Sequence, residues 1–229
     1  MDHKFKNRKN MNRLMFKKTG LACLLATASL AVHAVSLYDN LATPAGTFDA
    51  QGYQIGDQVI LADLGVGANI TDFSFELYSI GVAPTATYTV SLLANDGTGG
   101  APSSSLWSDT YNFGLNFPTG QLVTYSGLSI DVPHSFTWAI SFSGLDSGTA
   151  GLILSTAAGP SFGANYTDYW LKNGLLPWQL NYIEGQSINF LASFSGTPIA
   201  VPEPSSVALF GLGTVGLFLW RRRSVRLAR

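Results

Sequence analysis

Apolar and polar residues alternate with a period of two in several stretches of the chain. Phe73, Phe75 and Leu77 fall between Asp72, Ser74, Glu76 and Tyr78, and Tyr88, Val90 and Leu92 alternate with Thr87, Thr89 and Ser91. Phe136, Trp138, Ile140 and Phe142 repeat the pattern against Ser135, Thr137, Ala139 and Ser141, as do Ile188, Phe190, Ala192 and Phe194 against Ser187, Asn189, Leu191 and Ser193. Successive side chains of a strand point to opposite faces, so these runs predict half-buried β-strands. Turn clusters punctuate them at Asn95–Gly100, Phe117–Gly120, Ser143–Gly148 and Ala158–Pro160, where Gly, Pro, Asn and Asp supply the backbone conformations that reversals require. No heptad or long helical period is present. The pattern predicts an all-β body, an antiparallel β-sandwich of jelly-roll type.

Two apolar stretches do not alternate, and they lie at the two ends. Leu21–Val32 is a twelve-residue apolar core behind Lys4, Lys6, Arg8, Lys9, Arg13, Lys17 and Lys18, and it runs into Val32-His33-Ala34. A basic region, a short apolar core and small residues at a cleavage point describe a secretory signal peptide over residues 1–34, cut after Ala34 by signal peptidase. Translation could equally begin at Met11 or Met15 without changing the mature chain. Cys23 sits inside the apolar core, where a lipidated cysteine would follow it. Once the leader is cut no cysteine remains, which excludes disulfides and cysteine metal sites from the body.

At the other end, residues 201–229 run from Val201-Pro202-Glu203-Pro204 through the sixteen uncharged residues Ser205–Trp220 to Arg221, Arg222, Arg223, Arg226 and Arg229. Sixteen residues at about 1.5 Å each give roughly 24 Å of helix, a marginal span for a hydrocarbon core of about 30 Å. The prolines favour an extended strip before that predicted transmembrane helix at 205–220. The arginines of residues 221–229 would stay cytoplasmic and so place the body outside. A plain single-span anchor would look similar. The triplet, the apolar run and the arginine cluster together resemble the PEP-CTERM sorting signal. The resemblance implies an exosortase partner that processes the chain near Pro202, Glu203 and Pro204, with Arg221, Arg222 and Arg223 as the membrane stop. It also implies transient anchoring in the inner membrane, then a place on the cell surface or in the extracellular matrix beside exopolysaccharide.

Setting both ends aside changes the charge. Residues 1–34 and 201–229 hold seven and five of the thirteen basic residues but one acid each, so residues 35–200 carry Lys172 alone against twelve acids, a net charge near −11. Such a domain repels phosphate backbones, and nucleic acid is excluded as a partner. Its 166 residues suffice for one domain with its own core.

Within that body, Val90–Ala101 with Pro102 and Leu106, together with Gly56–Leu61, Ile70–Leu77 and Ile188–Gly196, resembles choice-of-anchor R domains. The usual Pro-Gly pair is Pro102-Ser103 here. The resemblance implies a display fold and no activity.

Candidate chemistry is sparse. His134 is the body's one histidine, and it reads as a strand-edge residue without a nucleophile-elbow motif to serve. Acids such as Asp96, Asp109 and Asp146 read as turn residues, so no enzymatic activity and no cofactor are expected. Asn95 and Asp96 offer hard oxygens of the kind calcium accepts, but without the regular spacing of a calcium loop. No other metal site is expected. Between Phe162 and Tyr182, the aromatics Tyr166, Tyr169, Trp170 and Trp178 are interleaved with amides and acids. That mixture suits stacking on sugar rings as well as it suits packing at one end of a sandwich. The sequence therefore points to an exported structural or adhesive protein, with a carbohydrate-binding module as the alternative.

Overall fold

The computed structural model describes residues 34–41, 44–62, 66–155, 159–184 and 188–199. Residues 1–33 of the expected signal peptide, the sorting tail and the predicted helix at 205–220 lie outside the described residues. Thirteen strands form two antiparallel sheets, and no α-helix occurs among the described residues.

The first sheet holds β1 (Val35–Asp39), β2 (Pro44–Asp49), β4 (Gly67–Ile80), β7 (Phe117–Pro133), β9 (Thr149–Ser155) and β13 (Ala192–Pro198). β4 is its axis. One edge of β4 pairs with β7 along its length, and the other is divided between β13 at Ala68–Phe75 and β9 at Leu77–Ile80. β1 lies outside β13 and β2 outside β9. The second sheet runs β12 (Gln179–Asn181), β11 (Tyr169–Lys172), β3 (Gln54–Ile60), β8 (Ser135–Ser143), β5 (Thr87–Ala94) and β6 (Ser105–Asn112), with the short β10 (Ala164–Asn165) also on β3.

The alternating residues make the interior. Phe73 stacks on its cross-strand partner Phe194 with centroids 4.4 Å apart, and meets Trp138 of the other sheet edge-on at 5.7 Å. Phe75 meets Tyr88 at 5.8 Å, and Phe136 meets Phe194 at 5.1 Å. These rings cross from sheet to sheet, so the two sheets pack face to face as a sandwich around one aromatic core.

Three expectations are corrected. Phe117–Gly120 is not a free turn but the start of β7; Pro118 is tolerated because β7 is an edge strand whose outer N–H groups need no partner. Asp109 lies in β6, opposite Val90, rather than in a turn. The last strand begins at Ala192; Ile188 and Phe190 are buried ahead of it, with Phe190 bridged to Leu154. The Ser143–Gly148 reversal does form, with Asp146 at φ 53° and Gly144 at φ 67°.

Candidate functional site

Val35 of β1 pairs with Gly196 of β13, so the first and last strands of the body are neighbours. Ala34 is exposed immediately before β1, and β13 closes at Pro198. Both expected processing points therefore flank complete strands, and they leave the body at one end of the first sheet.

The aromatic stretch 162–182 contains a β11–β12 hairpin reversed through Asn173-Gly174, where Gly174 takes φ 55°. The hairpin divides the four aromatics proposed as a sugar platform. Tyr169 points inward and meets Phe48 edge-on at 5.0 Å. Trp170 points to the outer face, in register with Gly56 and beside Ala139, and is buried there. Both side chains are buried, so neither ring offers a free face. Tyr166 is 50% exposed. Trp178 is partly exposed, and the Lys172 ammonium lies 5.7 Å from its ring centroid. The domain's one cation thus lies over the ring of Trp178.

Asn95 and Asp96 are engaged within the protein. Asp96 accepts bonds from the Ser104 backbone N–H at 3.0 Å and from its hydroxyl at 2.6 Å, and those bonds hold its carboxyl below the usual range. Asn95 accepts from the Thr137 hydroxyl at 2.7 Å and donates to Ser135 at 3.2 Å. The loop closes on itself with side-chain oxygens that a cation would have to recruit. His134 lies between β7 and β8, its backbone bonded to Val66 and Leu61. Its buried Nδ1 has no hydrogen-bond partner among the described residues.

Two features escaped the sequence reading. The first is Asp57, fully buried in β3. It pairs with Trp138, and directly paired residues share a face, so Asp57 points into the core between Ile55 and Val59. Its Oδ2 accepts from the Phe190 N–H at 3.5 Å, and Asn40 donates to the Phe190 carbonyl at 3.1 Å. Oδ1 has no partner among the described residues. Burial pushes this carboxyl well above the usual range, against the Phe190 N–H bond that lowers it, and nearby Asp168 raises it further. An acid at an inward position of an Ile-x-Asp-x-Val alternation was the signal.

The second is a cleft of about 600 Å³ between β6 and β7, the free edges of the two sheets. The chain passes from one edge to the other through residues 113–116. Leu77, Tyr88, Phe113, Phe117, Val123 and Tyr125 line the cleft, with Tyr111, Asn112, Gln121 and Thr124 around them. The Tyr88 and Tyr125 hydroxyls meet at 3.2 Å, and Trp107 packs edge-on against Tyr125 at 5.1 Å. Burial raises both phenols above their ordinary value, which keeps them neutral. The residues came from four separate segments, so no local motif could announce them.

No curated protein matches the chain. Residues 200–223 match the PEP-CTERM protein-sorting motif, a stretch that includes Pro202, Glu203, Pro204 and Arg221–Arg223. The body just described is therefore carried by an exported, exosortase-processed chain that ends in a PEP-CTERM sorting signal.

Proposed function

We propose that residues 35–200 form a non-enzymatic surface or extracellular-matrix domain with a structural or adhesive role in exopolysaccharide. The observation that carries this reading is the sorting motif beginning at residue 200, just past the end of β13 at Pro198. Cutting there would remove the tail without breaking a strand pair. Signal peptidase would act after Ala34, one residue ahead of β1, with equally little damage. The anionic surface suits an aqueous matrix and disfavours nucleic acid. A structural role needs a stable body rather than a reactive site, and the continuous aromatic core supplies one. A catalytic role for His134 is disfavoured because its buried Nδ1 meets no carboxylate or hydroxyl among the described residues. No cofactor is required by this reading, and calcium at Asn95 and Asp96 would have to displace the Ser104 and Thr137 bonds.

The test is fractionation of the native host. The processed protein should be found outside the inner membrane and should be released when the matrix polysaccharide is degraded. A full-length chain retained in the inner membrane would refute the reading. A carbohydrate-binding module is the second reading, favoured by the cleft between β6 and β7.

A further inference from the structure

We propose that the cleft between β6 and β7 binds a neutral oligosaccharide segment, which gives the adhesive role a defined site. This rests on the reading of the domain as a polysaccharide-matrix protein, and it replaces the 162–182 platform with a different surface.

The cleft is bounded by aromatic rings held by their neighbours. Tyr88 is in contact with Phe113 and Tyr111, each at 5.8 Å between centroids, and with Phe75 edge-on at 5.8 Å. Phe113 in turn meets Phe142 edge-on at 5.8 Å. Tyr125 is fixed by Trp107 and by its hydroxyl contact with Tyr88. Rings already held in place lose little freedom when a ligand arrives, which favours affinity. Tyr111 differs from the others: it is 59% exposed and leans on Tyr88 at 35°, leaving ring surface open at the mouth.

The chemistry selects the ligand class. A pyranose presents C–H faces to aromatic rings and hydroxyls to polar groups at its edge. The cleft supplies tyrosine and phenylalanine surface with phenol hydroxyls and the Gln121 amide beside it. Among the described residues no charged side chain lines it. With a net charge near −11 on residues 35–200 and Lys172 engaged at Trp178, an acidic polysaccharide would meet repulsion and find no cation to offset it. A neutral glycan avoids that cost. A volume of about 600 Å³ lies within the usual range for small-ligand sites, about 300–1,000 Å³.

The protein purified from its host would be titrated calorimetrically with neutral β-glucan and mannan oligosaccharides, and with alginate oligosaccharides as the anionic comparison. Binding of a neutral oligosaccharide is expected, with at least a tenfold loss in Tyr111→Ala, near-normal binding in Tyr111→Phe, and no change in Trp178→Ala or Tyr166→Ala. Tyr111 is exposed, so its variants should keep the melting midpoint of the parent. The proposal is overturned if no neutral oligosaccharide binds, if alginate binds more tightly, or if Trp178→Ala rather than Tyr111→Ala removes binding. It is also overturned if sedimentation shows that Tyr111→Ala abolishes self-association, because the cleft would then hold a second copy. Failure here leaves the matrix reading standing, since that reading is judged by where the host places the protein.

Discussion

Tyr88 of β5 and Tyr125 of β7 meet hydroxyl to hydroxyl at 3.2 Å, linking the two sheets where their free edges diverge. Tyr125→Phe removes one side of that contact while keeping the ring. A net loss of about 0.5–1.5 kcal/mol is expected, the usual worth of one internal hydrogen bond, read as a lower midpoint in urea unfolding.

The same tyrosines set an alkaline limit. Burial raises Tyr78, Tyr88, Tyr125 and Tyr169 above the ordinary value of 10.0, and Tyr38 likewise with Asp57 adding to the effect. The folded state then binds more protons than the unfolded chain above that value, so stability is complete below about pH 10 and falls as pH rises further. The phenolate absorbance of these five tyrosines should appear together with unfolding rather than before it. Free titration of all nine tyrosines with the fold intact would contradict this.

Asp57 acts in the same direction at lower pH. Its folded-state value is raised well above the ordinary 3.8, so its contribution is fully present below that value and is lost as pH rises toward the folded one. Asp57→Asn mimics the neutral acid and removes the dependence. The variant should gain on the parent in thermal melts between pH 5 and pH 8, with little difference near pH 4. Equal pH profiles would show that Asp57 ionises freely.

Gly151 of β9 has no room for a side chain. A Cβ there would meet the Phe48 carbonyl of β2 and approach the Tyr78 ring to 2.8 Å. Gly151→Ala should cost about 1–3 kcal/mol by overpacking. Gly46, also in this strand pair but with nothing within 4 Å, provides the comparison, and Gly46→Ala should be nearly silent in the same denaturation assay.

The two tryptophans of the hairpin should separate cleanly. Trp170→Ala removes a buried ring and is expected to cost about 3–5 kcal/mol. Trp178→Ala, at a partly exposed site, should stay within about 0.5 kcal/mol. Similar losses in both, measured by chemical unfolding, would contradict the division of the hairpin into buried and accessible rings.

These cases mark how far the sequence could be read. Strands β4, β5 and β8 were legible because each buries one alternating face, and Phe73, Tyr88 and Trp138 all point inward as that period requires. β7 was obscured by Pro118 and Gly120 at its start and by the bulge around Gly127. β1 and β2 are short edge strands with only two buried positions between them, Leu37 and Tyr38, too few to establish a period. The sorting tail was legible because its signal is contiguous. The cleft was not, because Tyr88, Tyr111, Phe117 and Tyr125 become neighbours only when the two sheet edges come together.

The central claim is that an exported anionic sandwich is freed from a sorting tail. Intact-mass measurement of the protein recovered from its native host tests it most directly. The account predicts a product beginning at Val35 and ending near Pro202–Pro204, without the apolar run or its arginines. A product that keeps both the basic leader and Arg221–Arg229 would contradict it.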